Sequence, residues 1–255
     1  SFETSLTITN TGPGDLGYYC SITYLTERLN RSIYSGPTAP SLVADENPNG
    51  TDRNPVYSPN EAIWDLQFAY DVDTPSGLVG LAGAETDGNF LYATKWSGAG
   101  EIVKFDLEGN YIETFTIPGV IDLRDLAYDG QYFYGSNAGS YIWEMDFTNK
   151  SLVSTITTPT AVRAIAYDSD LDGFWYNNFS TDLIFVDRTG TALDTIASPP
   201  SMYGCAYDNL TDGGPYLWIF TGTSTGGGCQ VEQYDLATKT LTGITHSVDA
   251  DLGPA

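Results

Sequence analysis

The feature that most constrains this chain is a recurrence. The tripeptide Ala-Tyr-Asp appears in "LAYDG" at 126–130, "IAYDSD" at 165–170 and "CAYDN" at 205–209. Asp129 and Asp168 lie 39 residues apart, Asp168 and Asp208 lie 40 apart, and "LAGAETDG" sets Asp87 42 residues before Asp129. A second signature follows in the same phase: "VKFDLEGNYIETF" (103–115), "WEMDFTNKSLVSTI" (143–156), "IFVDRTGTALDTI" (184–196) and "EQYDLATKTLTGI" (232–244). Its aspartates, Asp106, Asp146, Asp187 and Asp235, are separated by 40, 41 and 48 residues. A constant period means one supersecondary unit used repeatedly, each copy burying its apolar faces against the next. The long last interval marks an insertion near "TGTSTGGGCQ". We read that Gly-rich run as a lengthened loop, because no helical pattern follows it as a phosphate cradle requires.

Each unit parses into four short strands. In one these are "LRDLAYD", "YFYGSNA", "SYIWEMDF" and "LVSTITT", with "DG", "AG" and "TNK" between them as turn signals. The third alternates as a two-faced sheet strand must: Tyr141, Trp143, Met145 and Phe147 point one way, Ile142, Glu144 and Asp146 the other. With 18 Tyr, 5 Trp and 27 Gly and no amphipathic helical pattern, the chain reads as all-β. Four strands in about 40 residues is the size of a β-propeller blade. Four complete units are visible, and a full ring of five or more is expected. "IWDLQFAYD" (63–71) is an expected outermost strand lent to the last blade to close the ring. The domain reading is an N-terminal β extension and linker over 1–62, then a propeller over 63–255. Either residues 1–62 complete the ring or the natural protein continues past Ala255.

Charge narrows the partners. With 33 Asp and Glu against 10 Lys and Arg, the formal charge of -23 repels nucleic acid and anionic membrane surfaces. No apolar run reaches the roughly 18 residues of a membrane span, and the opening "SFETSLTITN" lacks the pattern of a signal peptide, so the chain reads as a mature or excised segment.

Residues 1–62 fall outside the repeat. "SGPTAPSLVADENPNGTDRNPVYSPN" has the Pro, Asn and Gly content of a linker. "LTITNTGPGDLGY" resembles the terminal strands of an immunoglobulin-like module of large bacterial surface proteins. The repeat region resembles secreted bacterial propellers of the NHL and YVTN type, as found in multidomain proteins of Bacteroidetes-like bacteria. The "AYD" strands, "GLAGAETDGNFLYATKW" (80–96) and "GGPYLWIFTG" (213–222) carry that likeness. It implies a fold and an extracellular or cell-surface setting; propellers serve as enzymes, adhesins and scaffolds alike.

Several residues are candidates for chemistry. Asp168, Asp170 and Asp172, followed by Gly173, alternate as carboxylates around Ca²⁺ can, which makes Ca²⁺ the candidate cofactor. The run lacks an acidic twelfth position, held here by Phe179, and the plainer reading is that Asp168 caps a turn. Asp106, Asp146, Asp187 and Asp235 recur in every blade and so read as structural. Cys20, Cys205 and Cys229 lack metal-ligand spacing and read as structural or free thiols. His246, the single histidine, makes triad chemistry improbable. Arg124 and Arg163 hold matching places in "LRDLAYD" and "VRAIAYD", where the third copy has Tyr203, so both point at the channel. They are expected to pair with acidic neighbours, the other reading being a site for a carboxylate or sugar acid. Asp125 and Glu85, with Asp65 and Asp87, are channel carboxylates of the kind a propeller glycosidase would use. Trp96, Trp175 and Trp218 are read as equivalent second-strand residues that pack between blades.

Taken together, these features favour a noncatalytic module for binding, adhesion or extracellular assembly, with an unidentified protein or carbohydrate partner. Arg124, Arg163, Asp125 and Glu85 are its expected ligand residues. The alternatives are a propeller glycoside hydrolase or lyase, and a filament or surface-layer subunit that self-assembles through its N-terminal segment.

Overall fold

The computed structural model describes residues 64, 68–197, 202–222 and 228–249. The chain divides into two compact units, Ser1–Ser35 and Gly36–Ala255, and every described residue belongs to the second. The expected N-terminal extension, the boundary at 62/63, Cys20 and Asp65 lie outside the described residues.

Each repeat folds as one antiparallel sheet whose strands follow in chain order. Blade 1 comprises β1 (Leu81–Thr86), β2 (Phe90–Lys95), β3 (Ile102–Asp106) and β4 (Tyr111–Phe115). Blade 2 has β5 (Leu126–Tyr128), β6 (Phe133–Gly135), β7 (Tyr141–Asp146) and β8 (Ser151–Thr157). Blade 3 has β9 (Ala164–Asp168), β10 (Gly173–Asn177), β11 (Leu183–Asp187) and β12 (Ala192–Ile196). Blade 4 has β13 (Met202–Asp208), β14 (Tyr216–Thr221), β15 (Gln230–Asp235) and β16 (Thr240–Ser247). The four sheets form a four-bladed β-propeller. First strands of successive blades lie side by side, β1 by β5, β5 by β9 and β9 by β13. The expected fifth blade is not among the described residues.

Both faces of a middle blade are buried, and this explains its strand composition. In β7, Trp143 and Met145 join Tyr92, Ile102 and Phe115 in the core between blades 1 and 2. Ile142, on the opposite face, packs with Ile165, Phe174 and Val186 between blades 2 and 3. A third core joins Trp175 and Phe185 of blade 3 to Leu217 and Ile219 of blade 4. Aromatic geometry supports the first core, where Phe133 and Phe147 stack with centroids 3.9 Å apart. Each such side chain removed from water contributes on the order of 1.5–3 kcal/mol.

Of the run expected to lend a strand, residues 64 and 68–71 are described. Trp64 stacks on His246 of blade 4 at 4.8 Å and meets Trp218 edge-on at 5.6 Å. Tyr70 reaches blade 1, donating its hydroxyl to the Leu107 carbonyl at 2.8 Å. The described residues of the run carry no strand. They touch the last blade at one end and the first at the other, then enter the short helix α1 (Asp73–Ser76).

Candidate functional site

The repeat places four chain positions around the propeller axis. Five residues before the repeated aspartate stand Ala82, Arg124, Arg163 and Tyr203, one from each blade, and all four line a single cavity of about 620 Å³. One residue further along, the ring reads Gly83, Asp125, Ala164 and Gly204. Three small residues surround one carboxylate, and the packing shows why. A Cβ on Gly83 would come within 2.7 Å of Asp125 Cα, and one on Gly204 would sit 3.7 Å from its Oδ2.

Asp125 therefore fills the axis. Its Oδ2 accepts a 2.9 Å hydrogen bond from the Ile165 N–H of blade 3. The Leu126 N–H of its own blade and the Cys205 N–H of blade 4 also donate to it. One carboxylate thus gathers the same backbone group from three blades. Burial still pushes its pKa well above the ordinary carboxylate range, against those donors and with Glu85's charge adding to the rise. Asp125 floors the cavity and acts as a hub.

The two arginines do not pair as expected. Among the described residues, neither Arg124 nor Arg163 has a carboxylate within 4.0 Å, whereas Lys95, Lys150, Arg188 and Lys239 each do. Arg124 instead lies over the Trp96 ring, 4.9 Å from guanidinium carbon to centroid. Its buried Nε has no hydrogen-bond partner among the described residues. Arg163 lies over Phe179 at 4.2 Å and donates from Nε to Asn178 Oδ1 at 2.8 Å. Asp125, which lines the same cavity, is engaged instead by backbone N–H groups.

Trp96 is the correction among the aromatics. Trp175 and Trp218 are equivalent and donate from Nε1 to Asp168 and Asp208, each at 3.0 Å. Tyr92 and Tyr134 take that place in blades 1 and 2, donating to Asp87 at 3.0 Å and to Asp129 at 2.9 Å. Trp96 falls beyond β2, 45% exposed at the cavity wall beneath Arg124. Distance to the repeated aspartate does not separate it in the sequence, since Trp96, Trp175 and Trp218 follow Asp87, Asp168 and Asp208 by 9, 7 and 10 residues.

Glu85 occupies the place of Ala127, Ala166 and Ala206 in the other blades. It does not join the arginines: it lines a separate cavity of about 370 Å³ with Tyr70, Val72 and Leu91. Burial raises its pKa to about 7, opposed by the Thr86 N–H. Asp87 is spent on its own turn, accepting from Asn89 and Phe90 N–H at 2.8 Å.

The acidic run sits in one turn of blade 3, and its partners tie it to blades 2 and 4. Asp168 Oδ1 accepts from the N–H groups of Asp170 and Leu171, both at 3.0 Å, while Oδ2 takes Trp175. Asp170 meets Tyr207 and Asn209 of blade 4 at 3.0 and 2.8 Å. Asp172 takes Tyr167 and Arg188, and Arg188 reaches on to Asp129 of blade 2 at 2.9 Å. Among the described residues, no group of three or more His, Cys, Asp or Glu side chains is arranged to hold a metal ion. Cys205 and Cys229 are both free thiols, and Cys229 lines the axial cavity.

No family model and no curated protein sequence matches the chain. Among solved structures it is similar to Kuenenia stuttgartiensis hydrazine synthase, with a TM-score of 0.47 and 16% identity, covering 65% of this chain and 48% of that one. Myxococcus xanthus glutaminyl cyclase gives 0.44 and 17%, covering 55% and 66%. U3-55K gives 0.45 and 10%, covering 66% and 52%. The chain thus spans about half the length of the first of these. Likeness at this level concerns strand architecture and says nothing of chemistry here.

Proposed function

We propose that the chain is a noncatalytic binding module of an extracellular or cell-surface protein, with the axial cavity as its ligand site. The observation that carries this reading is the break in the repeat at the axis. Elsewhere the blades repeat their aspartates and aromatics, but this one repeat position varies around the cavity rim, with Ala82 and Tyr203 beside two arginines, Arg124 and Arg163. Structural positions repeat because every blade needs them. A recognition site is needed once. Its volume of about 620 Å³ falls in the range usual for small-ligand pockets. The extracellular setting draws on the acidity and on the sequence resemblance to secreted propellers.

A second reading, a glycoside hydrolase or lyase, has one observation in its favour. Glu85 and Asp125 both have raised pKa values, as an acid catalyst would. They line different cavities, however, and Asp125 is bound by backbone donors. The single histidine, His246, stacks on Trp64 and is not part of the axial wall. The test is an activity screen on aryl glycosides, uronides and lactones. Binding without turnover is expected. Turnover abolished by Asp125→Asn or Glu85→Gln would replace the binding reading with the enzymatic one.

A further inference from the structure

Resting on the reading of the axial cavity as a ligand site, we propose that it takes a small molecule bearing a carboxylate beside an apolar or ring body. The carboxylate would sit between the guanidinium groups of Arg124 and Arg163.

Three independent observations converge on this. The first is charge in the wrong place for stability alone. In a chain with 33 acidic and 10 basic residues, a cation without an acidic neighbour is uncommon, yet two face the same cavity. Their mutual repulsion is felt, since burial and the Arg124 charge both push the Arg163 pKa down. An anion between them relieves that repulsion and supplies what the rest of the chain does not.

The second is unused donor capacity. Among the described residues, Arg163 spends only Nε, on Asn178, and no terminal nitrogen of either guanidinium has a hydrogen-bond partner. A guanidinium presents five N–H donors in a planar fork that matches a carboxylate. The third is preorganisation. Each guanidinium lies against an aromatic face, Trp96 for Arg124 and Phe179 for Arg163, and Phe179 is itself held by Tyr203 with centroids 4.9 Å apart. Side chains held in this way lose little further entropy when they bind.

A carboxylate is favoured over a phosphate by the surroundings. The chain carries a charge of -23, so a dianion is repelled more than a monoanion. The remaining wall includes Leu81, Phe220 and Tyr203, which suits an apolar body.

The test is calorimetric titration of the full chain with three matched probes at fixed ionic strength: benzoate, its uncharged counterpart benzyl alcohol, and phenyl phosphate. Benzoate is expected to bind most tightly. Arg124→Gln and Arg163→Gln are each expected to weaken it about tenfold or more, as loss of a charge-assisted hydrogen bond implies. Lys104→Gln, which removes a cation stacked on Phe90 outside the cavity, is expected to leave binding unchanged. If Arg124→Gln does not fold, Arg163→Gln carries the test alone. Equal binding of benzoate and benzyl alcohol, or benzoate binding indifferent to Arg163→Gln, overturns the anion assignment and leaves the cavity a ligand site. Tighter binding of phenyl phosphate overturns the carboxylate assignment. Binding of none of the three overturns the inference, whereas the noncatalytic reading stands or falls on the separate turnover screen.

Discussion

At the scale of single residues, the repeated aspartate is a turn device. In each blade one of its oxygens accepts two backbone N–H groups of the first turn, as in Asp129 with Gln131 and Tyr132, both at 2.8 Å. The other oxygen accepts from the Tyr or Trp of the second strand. Asp168 is 2% exposed and holds the Trp175 indole. Asp168→Ala is therefore expected to cost about 2–4 kcal/mol in urea unfolding, because it strands a buried donor. Asp172→Ala, on the exposed side of the same loop, is expected to cost about 1 kcal/mol or less. With each carboxylate of this loop engaged by its own donors, EDTA is expected to leave the melting temperature unchanged; a fall on chelation, reversed by Ca²⁺, would restore the calcium reading. Titration adds a sign. Burial pushes Asp129 and Asp208 up, but their hydrogen bonds prevail and hold both below the ordinary 3.8. Their stabilisation is thus present above that value and lost as pH falls through the lower, folded-state pKa. Glu85 runs the other way. Its folded form keeps a proton up to about 7, where the unfolded chain loses it near 4.5, so stability falls as pH rises through that window. Glu85→Gln is expected to flatten that decline and to raise stability at pH 8 by about 1–2 kcal/mol, measured by denaturant unfolding at both ends of the window.

At the scale of elements, each blade carries the same irregularity. The pairing of third and fourth strands shifts register at Lys104/Phe105, Glu144/Met145, Phe185/Val186 and Glu232/Tyr234. The turn before each shift contains a left-handed residue: Gly109, Lys150, Gly190 and Lys239, with φ of 82°, 53°, 83° and 57°. The two lysines use this strained position to reach the previous blade, Lys150 to Glu113 at 2.5 Å and Lys239 to Asp194 at 2.6 Å. The two glycines lie where a side chain has no room, since a Cβ at Gly190 would collide with the Thr157 carbonyl of blade 2. Gly190→Ala is expected to destabilise by about 2–4 kcal/mol, from the clash and the positive φ together. Lys150→Gly is expected to stay within about 0.5 kcal/mol, the relief of strain offsetting a half-exposed ion pair. These elements were legible in the sequence to different depths. Strands and turns followed from alternation and from Asp and Gly punctuation, and the facing of Trp143 and Met145 was correct. That Ile142 on the other face is also buried followed only from packing, because alternation alone does not say how many faces a sheet covers. Trp96 was misgrouped because strand membership was judged by composition, and its offset of 9 residues from Asp87 falls between the 7 and 10 of the other two, so only the end of β2 at Lys95 sets it apart.

At the scale of the whole molecule, periodicity made the propeller legible because each blade must present the same faces to its neighbours. Ring size was less legible: a count of repeats does not specify what joins the last blade to the first, and Trp64 and Tyr70 reach those blades without a described strand. Arg124 and Arg163 share one offset from the repeated aspartate, and both line one cavity. Their lack of acidic partners was not legible, nor was the engagement of Asp125 by N–H groups of three blades. The signal that could have shown this is the small residue opposite it in every other blade, Gly83, Ala164 and Gly204. The central claim is that this axis is a recognition site built around two uncompensated arginines. A crystal soaked in bromide, with an anomalous difference map, tests it most directly. The account predicts a bromide peak between the Arg124 and Arg163 guanidinium groups, above an intact Asp125 hub. Both guanidinium groups bound to carboxylates of this chain, with no bromide between them, would contradict it.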